Sequence, residues 1–383
     1  MGPQKDRLGN YGLRLIPKAV MVIVLCIISV FPVKNFQSVD AASGVIICSD
    51  GSVWPPDAPI ITLDNITYTL TDDIHDSVFI QRSNIIVNGN GHKIEGNGSE
   101  YGIYLDSLNN VTIMDLEIKG FLIGIGIYYC SQITLLNNLI LNNGDGIYIE
   151  YSSRNNLIGN YVANNNCNGI CLNWVSKSTL KNNRMEDNGA NFGFSGGYKL
   201  ANNIDSSNTV NGKPIYYWIN QSAKAIPQNA GYVALINCTE ITVKYLEISN
   251  NIQGILLVNT ENSAIIGNNI LNNSVGIYLY KSSFNSISEN IIDENYWGAW
   301  FEYSSNNTFS GNVLSNLCGV RLILSSNNTF YYNTFNNTMS QSVYGQVYSF
   351  ASTNIWDAGY PSGGNYWNDY VGVDKMRGAK PKH

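Results

Sequence analysis

The sequence is poor in charge. Lys, Arg, Asp and Glu make up 13% of its 383 residues, about half the usual share, and nowhere do the basic residues gather into a stripe. With a formal net charge of −6, nucleic acid is excluded as a partner on electrostatic grounds. Histidine is scarcer still: His75, His92 and His383 are the only three, and no His/Met or Cys/His cluster stands at ligand spacing. Helical periodicity is missing from every window of a dozen residues, which excludes a helical bundle. Long apolar runs are missing too. The longest, "AVMVIVLCIISVFPV" at 19–33, is short for a membrane span and contains Pro32.

That run has the flanks of a targeting signal. Lys5, Arg7, Arg14 and Lys18 precede it and the small residues of "SVDAA" follow, so residues 1–41 are expected to be a cleaved signal peptide, with an uncleaved membrane anchor as the alternative. Losing them removes five basic and two acidic groups and takes the charge from −6 to −9. Nine Asn-x-Ser/Thr sequons suit an exported glycoprotein. Six cysteines remain after residue 41, and only Cys167 and Cys171 are close. Free thiols and a disulfide both stay open there.

What the chain has in abundance is glycine (35), tyrosine (25) and a period. Glycines precede an apolar–x–apolar trio at 102, 124, 146 and 169, then at 254, 276, 298 and 319. The steps are 22, 22 and 23, then 22, 22 and 21. A second column follows: Asn138, Asn160, Asn183, Asn269, Asn290, Asn312 and Asn333. Within each repeat the alternation has period two, and the runs end in Ser, Asn and Gly. This predicts an all-β chain, a right-handed single-stranded parallel β-helix of about eleven or twelve coils of ~22 residues. The glycine is expected where the chain bends into a strand, tolerating dihedrals that other residues avoid. The Asn column is expected to be structural, its amides bonding from coil to coil. The expected division is an N-terminal cap over 42–76, the helix over 77–345, a C-terminal cap over 346–374 and a basic tail over 375–383. An insertion near 200–228 is expected to protrude.

If the trio's outer residues point inward, its middle one and the residue two further on face solvent. Those columns place Tyr128, Tyr148 and Glu150 together, and likewise Tyr278, Tyr280, Trp300 and Glu302. Flat rings beside carboxylates suit a polysaccharide strand, although cross-strand stacking alone would also account for them. Asp106 and Glu150 share a face two coils apart, about 9–10 Å at the backbone by strand spacing, near the upper limit for an inverting carboxylate pair. They are the only, and weak, catalytic candidates. The paired Asp, Gly-His-Gly and Arg-x-Lys set of polygalacturonases is missing. His92 belongs to a turn and reads as structural.

Four segments carry a family resemblance: "DGSVWPPDAPI" with "YTLTDDI" (within 50–74), "NIIVNGNGHKIEG" (84–96), "NTVNGKPIYYW" (208–218) and "NIWDAGYPSGGNYWNDYVGVD" (354–374). Together with the coil consensus they resemble the NosD-like, CASH-type β-helix proteins (carbohydrate-binding proteins and sugar hydrolases). The resemblance implies a secreted or surface-exposed right-handed β-helix and a copper-binding role. The columns offer copper no donor set, so no cofactor is expected. The expected function is an exported envelope protein that binds carbohydrate or another surface polymer without catalysis, touching a membrane only if residues 1–41 stay attached. A polysaccharide hydrolase or lyase, a structural spacer and a copper-maturation accessory protein are the alternatives.

Overall fold

The computed structural model describes residues 44–98, 100–196, 201–339, 345–359 and 363–370. Residues 1–41, expected to be a signal peptide, and the expected tail 375–383 lie outside them. Among the described residues there is no helix, only strands stacked in parallel as a β-solenoid of about 12 turns.

Each coil has one wide strand and two short ones. In the first half the wide strands are Tyr101–Asp106, Ile123–Tyr128, Asp145–Glu150, Asn168–Asn173 and Ala190–Gly196. Their register follows the repeat: Ile125 lies between Ile103 and Ile147, and Ile127 between Leu105 and Ile149. All six are fully buried, so a one-residue slip would turn the core outward. Parallel stacking already starts at Val45–Ile47 and Thr67–Leu70.

The glycine column has a different cause from the one expected. Gly102, Gly124, Gly254 and Gly276 do not adopt left-handed backbone. A Cβ at any of them would lie 2.5–2.7 Å from the carbonyl oxygen of the glycine one coil on. Space between coils, rather than dihedral freedom, demands glycine here.

The asparagine column is real, with one correction. Asn138, Asn160 and Asn183 are buried and pass amide hydrogen bonds from coil to coil: Asn138 Nδ2 donates to Asn160 Oδ1 at 3.0 Å and Asn160 Nδ2 to Asn183 Oδ1 at 2.9 Å. In the second half the ladder residue is Asn268, not Asn269. Asn268 Nδ2 donates to Asn290 Oδ1 at 2.9 Å, and Asn290, Asn312 and Asn333 continue the line. Asn269 instead opens the strand Asn269–Leu271, partly exposed. The left-handed turn and the ladder are held by successive residues. Asn137, Asn182 and Gly267 have φ of 55°, 55° and 63°, and the Asn that follows each turns inward. A parallel ladder escaped the sequence reading: Asn273, Asn295, Asn316 and Asn337.

The insertion does not protrude. Thr209–Val210 turns back in a hairpin onto Lys213–Ile219, which then pairs in parallel with Tyr232–Ile236. One 13-stranded sheet therefore joins a narrow face of the first half to the wide face of the second. At this junction Tyr232 meets Phe192 edge-on at 5.1 Å and Tyr217 lies 5.8 Å from Phe194. Gln253 clamps the same edge, its Nε2 donating to Phe194 O at 2.6 Å. Consequently Leu256 and Val258, expected to face solvent, are fully buried in one apolar cluster with the last core residues of the first half.

Cys48, Cys130, Cys171, Cys238 and Cys318 are free, so Cys167 and Cys171 are not bridged to each other. Burial pushes the thiols of Cys130 and Cys318 up to about 11 and that of Cys171 up to about 12. These three should resist iodoacetamide at neutral pH in the native protein and react after unfolding, as peptide mapping by mass spectrometry will read. Native alkylation of Cys171 would contradict this packing.

Candidate functional site

The outer side of the first-half wide face gathers most of the predicted residues. Tyr128 pairs in register with Asp106 on one side and Glu150 on the other, and Asn173 follows Glu150. Gly126 sits in the neighbouring column between Tyr104 and Tyr148. A Cβ there would come within 2.8 Å of the Tyr101 ring, so its absence lets Tyr101 fold over the strand. The rings then form a chain: Tyr101–Tyr104 at 4.8 Å, Tyr104–Tyr128 at 5.6 Å and Tyr128–Tyr148 at 5.9 Å between centroids. The hydroxyls of Tyr101 and Tyr128 are 3.2 Å apart. Asn173 Nδ2 donates both to Tyr148 OH at 3.1 Å and to Glu150 Oε1 at 2.8 Å.

Burial raises the phenols of Tyr104, Tyr128 and Tyr148 well above the usual tyrosine range, which keeps them neutral hydrogen-bonding groups. It also raises the Glu150 carboxyl. Asp106 is exposed, and Ser107 Oγ donates to its Oδ1 at 2.9 Å. The register leaves Asp106 and Glu150 two strands apart, so a water or a bond held between them must span about 9–10 Å of backbone separation. A second carboxyl on the Glu150 strand was not singled out from sequence. Asp145 is buried, which raises its carboxyl, and its Oδ1 accepts from Asn168 N at 2.9 Å and Nδ2 at 2.8 Å. Its neighbours explain it as a strand-to-strand clamp.

Tyr278, Tyr280, Trp300 and Glu302 form a separate cluster on the second-half wide face. Tyr278 OH donates to Glu302 Oε2 at 2.6 Å, and Tyr278 stacks on Trp300 at 5.1 Å and 29°. The Arg321 guanidinium covers Trp300 at 3.9 Å. Trp300 is thus taken up by contacts within the sheet. Tyr278 is only 5% exposed.

Three exposed rings bordering this face were missed by the sequence reading. Tyr129, Tyr151 and Trp174 each follow the last residue of a wide strand and are 61%, 46% and 45% exposed. Tyr129 stacks on Tyr151 at 5.2 Å and 9°, and Tyr151 on Trp174 at 5.9 Å and 20°. All three adopt left-handed backbone, φ 50°, 46° and 53°, where a bulky side chain costs about 1–3 kcal/mol. The available signal was an aromatic directly after the strand in "GIGIYY", "GIYIEY" and "GICLNW". Strand alternation says nothing about a residue one step beyond the strand.

Among the described residues the one group of three potential metal ligands is Asp72, Asp73 and His92. It is open to solvent, and Lys93 occupies Asp73 from two sides: its backbone N donates to Oδ1 at 3.0 Å and its ammonium lies 3.6 Å from Oδ2.

Comparison with solved structures finds similarities at low identity and low TM-score. The Dettilon tailspike protein (gp208) is 14% identical with a TM-score of 0.28, covering 75% of this chain and 61% of that one. The A-module of Azotobacter vinelandii mannuronan C-5 epimerase AlgE6 is 15% identical with a TM-score of 0.29, covering 78% and 76%. A mutant of the periplasmic alginate epimerase AlgG is 11% identical with a TM-score of 0.32, covering 79% and 78%. No curated protein matches. A family model described as "Periplasmic copper-binding protein (NosD)" matches residues 56–225 and again 202–372. Among the described residues, the donors that come together do not fit copper. The Asp72, Asp73 and His92 group is two carboxylates with a single imidazole, whereas copper takes imidazole- or sulfur-rich sets. The close sulfur pair, Cys318 and Met339 at 4.0 Å, rests on a buried thiol raised to about 11. With two successive matches of the family model that together span residues 56–372, the chain belongs to the NosD family.

Proposed function

We propose that this protein works outside the cytoplasmic membrane and holds an extended polysaccharide, or another envelope polymer, against its outer wide face without cleaving it. The observation that carries this reading is the exposed stack of Tyr129, Tyr151 and Trp174. It borders the strip of Asp106, Tyr128, Glu150 and Asn173. Aromatic bodies suit the apolar faces of sugar rings, and the adjoining carboxylates and amide suit their hydroxyls. The strand spacing of about 4.8 Å repeats these groups at a length comparable to one sugar unit. Tyr148 supports the strip, and on the second-half wide face the partly exposed Tyr280, Trp300 and Glu302, backed by the buried Tyr278, supply a second contact region on the same reading.

The test is retention of the full chain on a panel of insoluble and immobilised polysaccharides, with Tyr151→Ala alongside. Wild type should be retained on at least one polymer, and the variant should bind it about 2- to 13-fold more weakly, the effect of losing one stacked ring at ~0.5–1.5 kcal/mol. Retention unchanged in Tyr151→Ala would remove the stack from the account, and no retention on any polymer would favour a structural spacer. A second reading, a hydrolase or lyase, draws on Glu150, whose carboxyl is raised by burial beside Tyr148. New reducing ends or unsaturated products that vanish in Glu150→Gln would establish it.

A further inference from the structure

Arg321 stands on the outer side of the second-half wide face, in register with Trp300 on one strand and Tyr348 on the next. Its guanidinium lies 3.9 Å from the Trp300 ring centroid, 5.6 Å from that of Trp297 and 5.8 Å from that of Tyr348. This aromatic cage holds the cation in place, yet no carboxylate pairs with it among the described residues. Arg321 has no hydrogen bond or ion pair among the described residues, and its Nε is buried without a partner. Trp300 Nε1 on the adjoining strand is also buried without a partner. The carboxylate of the neighbouring column, Glu302, accepts from Tyr278 instead.

In an acidic chain a half-buried arginine without a carboxylate is unusual, because a buried charge is normally paired. Cation–π contact offsets part of that cost, but it leaves the planar fork of donors unused, and that fork matches oxyanions in two-point geometry. Trp300 holds the guanidinium in place by stacking, and the terminal Nη groups, unlike the buried Nε and the Trp300 indole N–H, are left to meet the anion. We propose that Arg321 and Trp300 form an oxyanion subsite that takes the carboxylate or sulfate substituent of an acidic glycan. This rests on the polymer-binding reading above and narrows its ligand to anionic polysaccharide.

The experiment is affinity electrophoresis of the full chain through gels containing polygalacturonate, dextran sulfate or unsubstituted dextran. It compares wild type with Arg321→Met, which keeps the stem packed on Trp300, and Arg321→Lys, which keeps charge without the fork. Thermal melts confirm that each variant is folded. Wild type should be retarded most by one of the two acidic polymers, and the polymer that does so tells carboxylate from sulfate. Arg321→Met should weaken that retardation about 10- to 100-fold, the effect of losing a charge-assisted contact, with Arg321→Lys intermediate. Equal retardation by dextran, or an acidic-polymer effect unchanged in Arg321→Met, would overturn the subsite while leaving general glycan binding intact. No retardation by any of the three polymers, with retention elsewhere on the wider panel lost in Tyr151→Ala, would likewise overturn the subsite alone. No retention anywhere would remove both.

Discussion

Asn290→Ala is expected to destabilise the second half of the solenoid by about 3–5 kcal/mol, while Asn269→Ala, near in sequence, should change stability by no more than about 0.5 kcal/mol. Asn290 Oδ1 accepts from both the backbone N and the side-chain Nδ2 of Asn268, each at 2.9 Å. Its Nδ2 donates to Ile265 O at 3.0 Å, Ser288 O at 2.9 Å and Asn312 Oδ1 at 2.9 Å. Alanine would strand a buried N–H and carbonyls on two coils, each worth about 1–3 kcal/mol when left unpaired. Asn269 has no such place, since its side chain lies on the partly exposed side of its strand. Urea unfolding followed by circular dichroism will measure both. Because coils interact mainly with their neighbours, the Asn290→Ala transition should begin in the second half and broaden. A larger loss at Asn269 than at Asn290 would refute the ladder assignment.

The glycine column yields the second large effect. At Gly276 a Cβ would lie 2.5 Å from Gly298 O and 2.8 Å from Ile292 Cγ2. The carbonyl belongs to the next coil, so relief requires moving that coil. Gly276→Ala should therefore cost about 1–3 kcal/mol by overpacking, and Gly276→Asn more. Gly212 is the complementary case: nothing lies within 4 Å, but φ is +75°. There asparagine, which tolerates left-handed backbone, should be nearly neutral while alanine costs about 1 kcal/mol. If Gly276→Asn melts like wild type, close approach is not what selects glycine in this column.

Those two residues illustrate what could be read from sequence. The period, the strand register and the inward Ile/Leu columns were legible because stacking forces every coil to repeat them. Which of two adjacent asparagines turns inward was not, because "NN" and "GNN" spell the turn and the ladder with the same letter. Asn269 was chosen where Asn268 is buried. The insertion near 200–228 was misread as a protrusion because it occurs once and has no repeat to compare with. Its consequence, the burial of Leu256 and Val258 against the first half, arises from tertiary packing that coil periodicity does not encode. For the candidate site, grouping Tyr128, Tyr148 and Glu150 followed from the register. The exposed Tyr129, Tyr151 and Trp174 stack did not, because each ring sits just past the strand where the period-two rule ends.

Where the polymer lies is best measured by hydroxyl-radical footprinting of the aromatic side chains, with and without whichever polysaccharide retains the protein. Tyr245, Tyr332 and Tyr370, 63%, 58% and 64% exposed elsewhere on the chain, serve as internal controls. Bound polymer should slow oxidation of Tyr129, Tyr151 and Trp174 severalfold and leave those three controls unchanged. Protection of the controls with continued oxidation of Tyr151 and Trp174 would contradict a binding strip on the first-half wide face.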